Sequence, residues 1–157
     1  MKKFLLSIFC LMFMSRLFAQ ELSASDLIKY FRMEIPAISQ KLLKKEFKLI
    51  KKSSDNLEDN KSITYFWAVN FDSKTEDALE WFTVSLYDEK KSRIMYETKS
   101  KNVFLAFKQS LKKSGFKFSQ NFKNIDEEEL SAIYENDKYV LTLQPRFDRW
   151  TIYLRKK

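Results

Sequence analysis

Apolar positions recur along this chain with two different periods, and the switches between them mark out its elements. Ser23-Ala-Ser-Asp26 is a helix-start signal, a serine N-cap with an acidic residue three positions on. Leu27, Ile28 and Phe31 then fall on one helical face. Pro36 interrupts, and proline is comfortable only near the first turn of a new helix. A second short helix is therefore expected over 36–45, with Ile38 and Leu42 four apart. From Phe47 the period shortens to two. A short strand is expected over 47–52 and a longer one over 62–71, where Ile63, Tyr65, Trp67, Val69 and Phe71 share one side. Residues 80–87 set Phe82, Val84 and Leu86 against Trp81, Thr83 and Ser85. An Asp88-Glu-Lys-Lys91 turn leads to a strand over 93–97.

The helical period then returns. Ser100 caps an amphipathic helix running to Ser114, with Val103, Phe104, Phe107 and Leu111 on its apolar stripe. Gly115, the only glycine, sits where a left-handed C-cap is wanted. Strands are expected over 116–122, 130–135, 139–144 and 150–155, with turns at Asn136-Asp137 and at Pro145. The order is helix then four strands, twice. Leu43-Lys-Lys-Glu-Phe47-Lys parallels Leu111-Lys-Lys-Ser-Gly-Phe116-Lys with one residue inserted, and Trp81-Phe-Thr-Val-Ser-Leu parallels Trp150-Thr-Ile-Tyr-Leu at an offset of about 69. These parallels point to sub-repeats over 24–98 and 99–157. The fold class expected is α+β, an antiparallel sheet with helices on one face. Its other face must be wet or meet a partner.

The short helix, the Leu43 to Lys48 strand start and the later Lys113 to Lys117 segment resemble those of small exported proteins of Bacteroidota, over most of the chain. The tandem helix-plus-four-strand plan is similar in architecture to secreted β-lactamase inhibitor proteins. Fold-level likeness of this kind implies no particular activity.

Two lysines, an apolar run from Phe4 to Met14 and Ala19 before Gln20 form a secretory leader pattern over 1–19. The run is too short to span a bilayer, which takes about twenty residues, and Phe9 before Cys10 argues against lipidation. The expected product is a single domain over 20–157, exported to the periplasm or beyond, without a transmembrane segment. Cys10 is the only cysteine and lies in the leader, so the exported domain has no disulfide and must rely on its core. The chain is +8 overall, unevenly: 20–98 hold 13 basic and 14 acidic side chains, and 99–157 hold 13 and 7. Such a basic half can attract acidic proteins, anionic glycans or lipid headgroups, or it can simply solvate helix ends. Nucleic acid is a poor partner for an exported protein.

The chain has no histidine, which excludes histidine-based triads and common zinc sites. One glycine excludes phosphate-cradling loops. Carboxylate catalysis needs two acids across a cleft; Glu80, Asp88, Glu97 and Glu135 are candidates, and nothing selects a pair. Asp126-Glu-Glu-Glu129 and Asp72-Ser-Lys-Thr-Glu-Asp77 lack the loop glycine of a calcium hand and read as solvated turns. Asn60-Lys-Ser62 is a glycosylation sequon in an expected loop. No cofactor or metal is expected. The strand aromatics serve either as core or as an interface on the uncovered face. Arg146-Phe-Asp-Arg-Trp150 is the densest cluster, suited to gripping a carboxylate or to forming its own salt-bridged turn. The candidate binding residues are thus Arg146, Arg149 and Trp150, with Lys112 and Lys113 from the basic half. The reading is a non-catalytic exported binding protein of inhibitor or immunity type, against a binder of anionic envelope glycan or lipid and, last, a carboxylate hydrolase.

Overall fold

Residues 22–57, 60–123, 130–146 and 148–157 are described by a computed structural model; the expected leader, the acidic run 126–129 and Phe147 lie outside the described residues. The elements are α1 (Ala24–Phe31), α2 (Ile35–Leu43), β1 (Lys48–Leu57), β2 (Asn60–Val69), β3 (Glu80–Tyr87), β4 (Lys90–Thr98), α3 (Lys101–Lys113), β5 (Lys117–Phe122), β6 (Ser131–Glu135), β7 (Tyr139–Arg146) and β8 (Arg149–Lys156). Eight strands form one antiparallel sheet in the order β1-β2-β3-β4-β8-β7-β6-β5. Two four-strand meanders therefore meet through their last strands. The fold is α+β.

The helices start and stop where their chemistry directs. Ser23 caps α1 in a reciprocal capping box with Asp26, and Ser100 caps α3 through the Val103 N–H at 3.3 Å. Pro36 sits in the first turn of α2. Both α2 and α3 end in the same way. Phe47 N–H reaches the Leu42 carbonyl and Phe116 N–H the Leu111 carbonyl, each at 3.1 Å, across a residue with positive φ. That residue is Gly115 (φ 77) in one case and Glu46 (φ 65) in the other. These are Schellman stops. They align Leu42 with Leu111 with no insertion, so the one-residue gap inferred from the sequence is unnecessary. The tryptophan parallel does not survive as geometry, because Trp81 lies on the third strand of its meander and Trp150 on the fourth of the other.

One sheet face and the helices make the core. Leu27, Ile38, Leu42, Phe107 and Leu111 bury against Trp67, Phe82, Val84, Ile94, Tyr96, Leu141, Ile152 and Leu154. Full burial of such a side chain contributes about 1.5–3 kcal/mol. Tyr30 joins them, edge-on to Phe82 at 5.4 Å between ring centroids. The alternation expected for β3 holds, with Phe82 and Val84 inward and Trp81 and Thr83 on the opposite face.

Three details differ from the sequence expectation. Asn70 takes a left-handed φ of 52°, which ends β2 and breaks the alternation; Phe71 consequently packs edge-on to Trp81 and leaves the side of Trp67. Strand β1 continues to Leu57 through polar residues, and Asn60 opens β2 instead of lying in a loop. Strand β7 runs through Pro145, which pairs only with Trp150 on β8, beyond the last residue bonded to β6; there the missing N–H interrupts no ladder toward β6.

Candidate functional site

The register aligns the uncovered face into cross-strand rows. One row runs Lys51, Phe66, Thr83, Met95, Tyr153, Thr142 and Ile133. The next runs Ala68, Trp81, Glu97, Thr151 and Gln144. A third sets Ser85 beside Arg93 and Arg93 directly opposite Arg155. None of the aromatics in the first two rows belongs to the helix-side core. They are half-buried by their sheet neighbours and by the loop between β2 and β3.

That loop turns the flat face into a groove of about 490 Å³. Phe66, Trp81, Thr83, Met95 and Glu97 form its floor, a bulge in β1 at Ile50 and Lys51 closes one side, and Phe71 and Glu76 of the loop close the other. The Lys51 ammonium lies 4.9 Å above the Phe66 ring. Glu97 accepts a hydrogen bond from Thr151 Oγ1 at 3.0 Å. Thr83 is 4% exposed, and its Oγ1 has no hydrogen-bond partner among the described residues.

The loop is tied down by charge. The Asp72 backbone N–H donates to the Asp77 carbonyl across it at 2.8 Å, and the Asp77 carboxylate takes both the Lys99 ammonium and, at 2.7 Å, the Arg149 guanidinium from β8. Lys99 first, then Arg149 and the Ala78 N–H at 2.7 Å, hold the Asp77 carboxyl well below the usual carboxylate range. Burial works against the Arg149 charge, but Asp77, then Asp148 and Glu97, more than offset it and raise its pKa. Arg149 also lies 3.5 Å from Asp148.

The sequence candidates are thus divided. Arg146 and Arg149 pair across the β7–β8 hairpin on the uncovered side, and Arg146 donates to the Tyr153 hydroxyl at 3.4 Å. Arg149 is a structural clamp on the groove loop. Trp150 points the other way and stacks on Phe104 of α3, ring centroids 6.0 Å apart. Lys112 and Lys113 are exposed in the last turn of α3, about 12 Å along the helix from Phe104. Trp150 and these lysines therefore do not join the arginines in one surface. The groove residues carried scattered sequence signals, a tryptophan on the polar side of β3, Glu97 among the candidate acids and Glu76 within the acidic turn 72–77, and nothing in the sequence joined them.

The candidate acids occupy separate surroundings. Glu80 is buried and accepts from the Tyr96 hydroxyl at 2.8 Å, Asp88 sits in the β3–β4 turn, Glu97 floors the groove, and Glu135 pairs with Lys157 at 2.8 Å. Among the described residues no three metal-ligating side chains gather, and no helix is long and apolar enough to cross a membrane. No protein-family model matches the chain, and neither does any curated protein or solved structure.

Proposed function

We propose that this chain is an exported, non-catalytic binding protein that engages a partner protein through the uncovered face of its sheet. An inhibitor or immunity role outside the cytoplasm is the sharpest form of that reading. The observation that carries it is the composition of the face: Phe66, Phe71, Trp81, Met95 and Tyr153 stand half-buried on the side opposite the three described helices. Aromatic side chains with flanking arginines dominate interface energetics, and a sheet face that none of the described helices covers is more often polar than aromatic. The face is also polarised. Glu76 and Glu97 lie at the groove, while Arg93 and Arg155 oppose each other near the centre with no carboxylate partner among the described residues. Such a pattern fixes the orientation of a partner more than its affinity.

The Arg93–Arg155 pair also favours a second reading, an anionic envelope glycan or lipid, because like charges directly opposite destabilise a strand pair unless an anion bridges them. One set of variants separates the two. Tyr153→Ala and Met95→Asp should abolish a stoichiometric complex seen by size-exclusion chromatography with light scattering, while Lys112→Glu with Lys113→Glu should leave it intact. Binding to anionic vesicles or envelope glycan that falls steeply with salt and ignores Tyr153→Ala would favour the second reading instead.

A further inference from the structure

Two features of the groove beside β1 have no packing explanation. A nearly buried hydroxyl, Thr83 Oγ1, is left unmatched among the described residues, and buried polar groups in folded proteins almost always find a partner. Glu76 lines the same groove with no hydrogen-bond or ion-pair partner among the described residues, and Glu97 accepts a hydrogen bond only from the Thr151 hydroxyl, with the Arg149 charge within electrostatic reach. Carboxylates set among aromatic rings make a poor site for an anion and a good one for a cation.

We propose that the groove receives the guanidinium of an arginine side chain belonging to the partner protein. This rests on the reading that the uncovered face binds a protein, and it names the chemistry of the contact. A guanidinium is planar, stacks on aromatic faces and is weakly hydrated, so it enters an aromatic groove at lower cost than an ammonium. Its five N–H donors can fork onto a carboxylate and still reach a hydroxyl acceptor. The groove offers those parts: rings from Phe66, Phe71 and Trp81, acceptors from Glu76, Glu97 and Thr83. Lys51 already rests its ammonium on Phe66, which shows that the floor accommodates a cation. Asp77 and Asp148 match the charges of Lys99 and Arg149, which leaves the two groove carboxylates outnumbering Lys51, whereas Arg93 and Arg155 make the neighbouring part of the face repel cations. An incoming arginine is therefore directed to the groove. The volume of about 490 Å³ lies in the range of ligand sites and leaves room for the side-chain stem and its neighbours.

The test uses the purified protein and a small probe, Nα-acetyl-arginine methylamide, beside its uncharged citrulline counterpart. The Trp81 indole resonance, assigned with Trp81→Phe, reports the groove. The arginine probe should shift it with an affinity near the millimolar level, and should bind about fivefold or more tighter than the citrulline probe. Glu76→Gln combined with Glu97→Gln should weaken it about tenfold. Thr83→Val should weaken binding and at the same time raise the urea midpoint of the free protein, since it removes an unmatched polar group. Equal binding of the two probes, or no response of Trp81 to the arginine probe up to about a hundred times a millimolar affinity, would overturn the proposal. If the probe fails while a protein complex still depends on Tyr153, the arginine assignment falls and the binding function stands. If a complex forms and ignores every substitution on the face, both fall.

Discussion

Single residues set the geometry at several points, and their effects have opposite signs. Gly115 and Glu46 occupy the same place in two Schellman stops, at φ 77° and 65°. A Cβ on Gly115 would meet nothing within 4 Å, so Gly115→Ala costs only the left-handed strain of an L-residue, about 1 kcal/mol. Glu46→Gly removes that strain and should stabilise by about 0.5–1 kcal/mol. Urea denaturation of the two variants should show midpoints moving in opposite directions. Tyr30 supplies a second residue-scale prediction. Burial, with Asp26 adding to it, pushes its phenol up to about 12. Because the folded pKa lies above the ordinary value of about 10, Tyr30 favours the folded state at neutral pH. That contribution should be lost as pH rises from about 10 toward 12. Absorbance titration at alkaline pH should show a late-ionising phenol that disappears in Tyr30→Phe.

At the level of elements, the loop between β2 and β3 decides whether there is a groove at all. Its anchor is Asp77, held by Lys99 and Arg149. The depressed carboxyl keeps the tether charged: its stabilising effect is present above the unfolded pKa of about 3.9 and fades only as pH falls well below that value. Asp77→Asn should therefore speed amide exchange at Asp72 and Leu79, which bond within and beside the loop, at pH 6. The wild-type protein should keep that protection at pH 3. Sequence made most elements readable, because caps at Ser23 and Ser100 and the alternation of 62–69 and 80–87 each have a local cause. The groove was not readable. It needs Asn70 to turn left-handed so that Phe71 changes side, and it needs Arg149 to reach Asp77 across 72 positions of chain. Neither is encoded in any local period. The end of β1 was hidden for a related reason: Ser53, Ser54 and Asp55 sit on an edge strand and carry no apolar alternation.

The whole molecule depends on the seam where the two meanders meet. At β4–β8 Ile94 pairs with Leu154 and Tyr96 with Ile152, and all four side chains are fully buried. Either meander alone would expose its half of those pairs, along with an unpaired strand edge that invites aggregation. The seam joins residues far apart in sequence, so its closure entropy must be met before its contacts form, and it should be completed late in folding. It also extends the uncovered face from the groove, bounded by β1, across to Tyr153 and Arg155 on β8, which gives a partner a surface that neither meander presents alone. Truncating the seam should then weaken everything together. Ile152→Ala opens a cavity between the helices and both meanders and should cost about 2–5 kcal/mol. If the sheet folds as one unit, circular dichroism and the Trp81 indole resonance must both shift by the same amount and keep a single coincident transition. Two transitions, with Trp81 in the first meander unmoved, would mean that the halves fold independently and that the continuous face is not held as one surface.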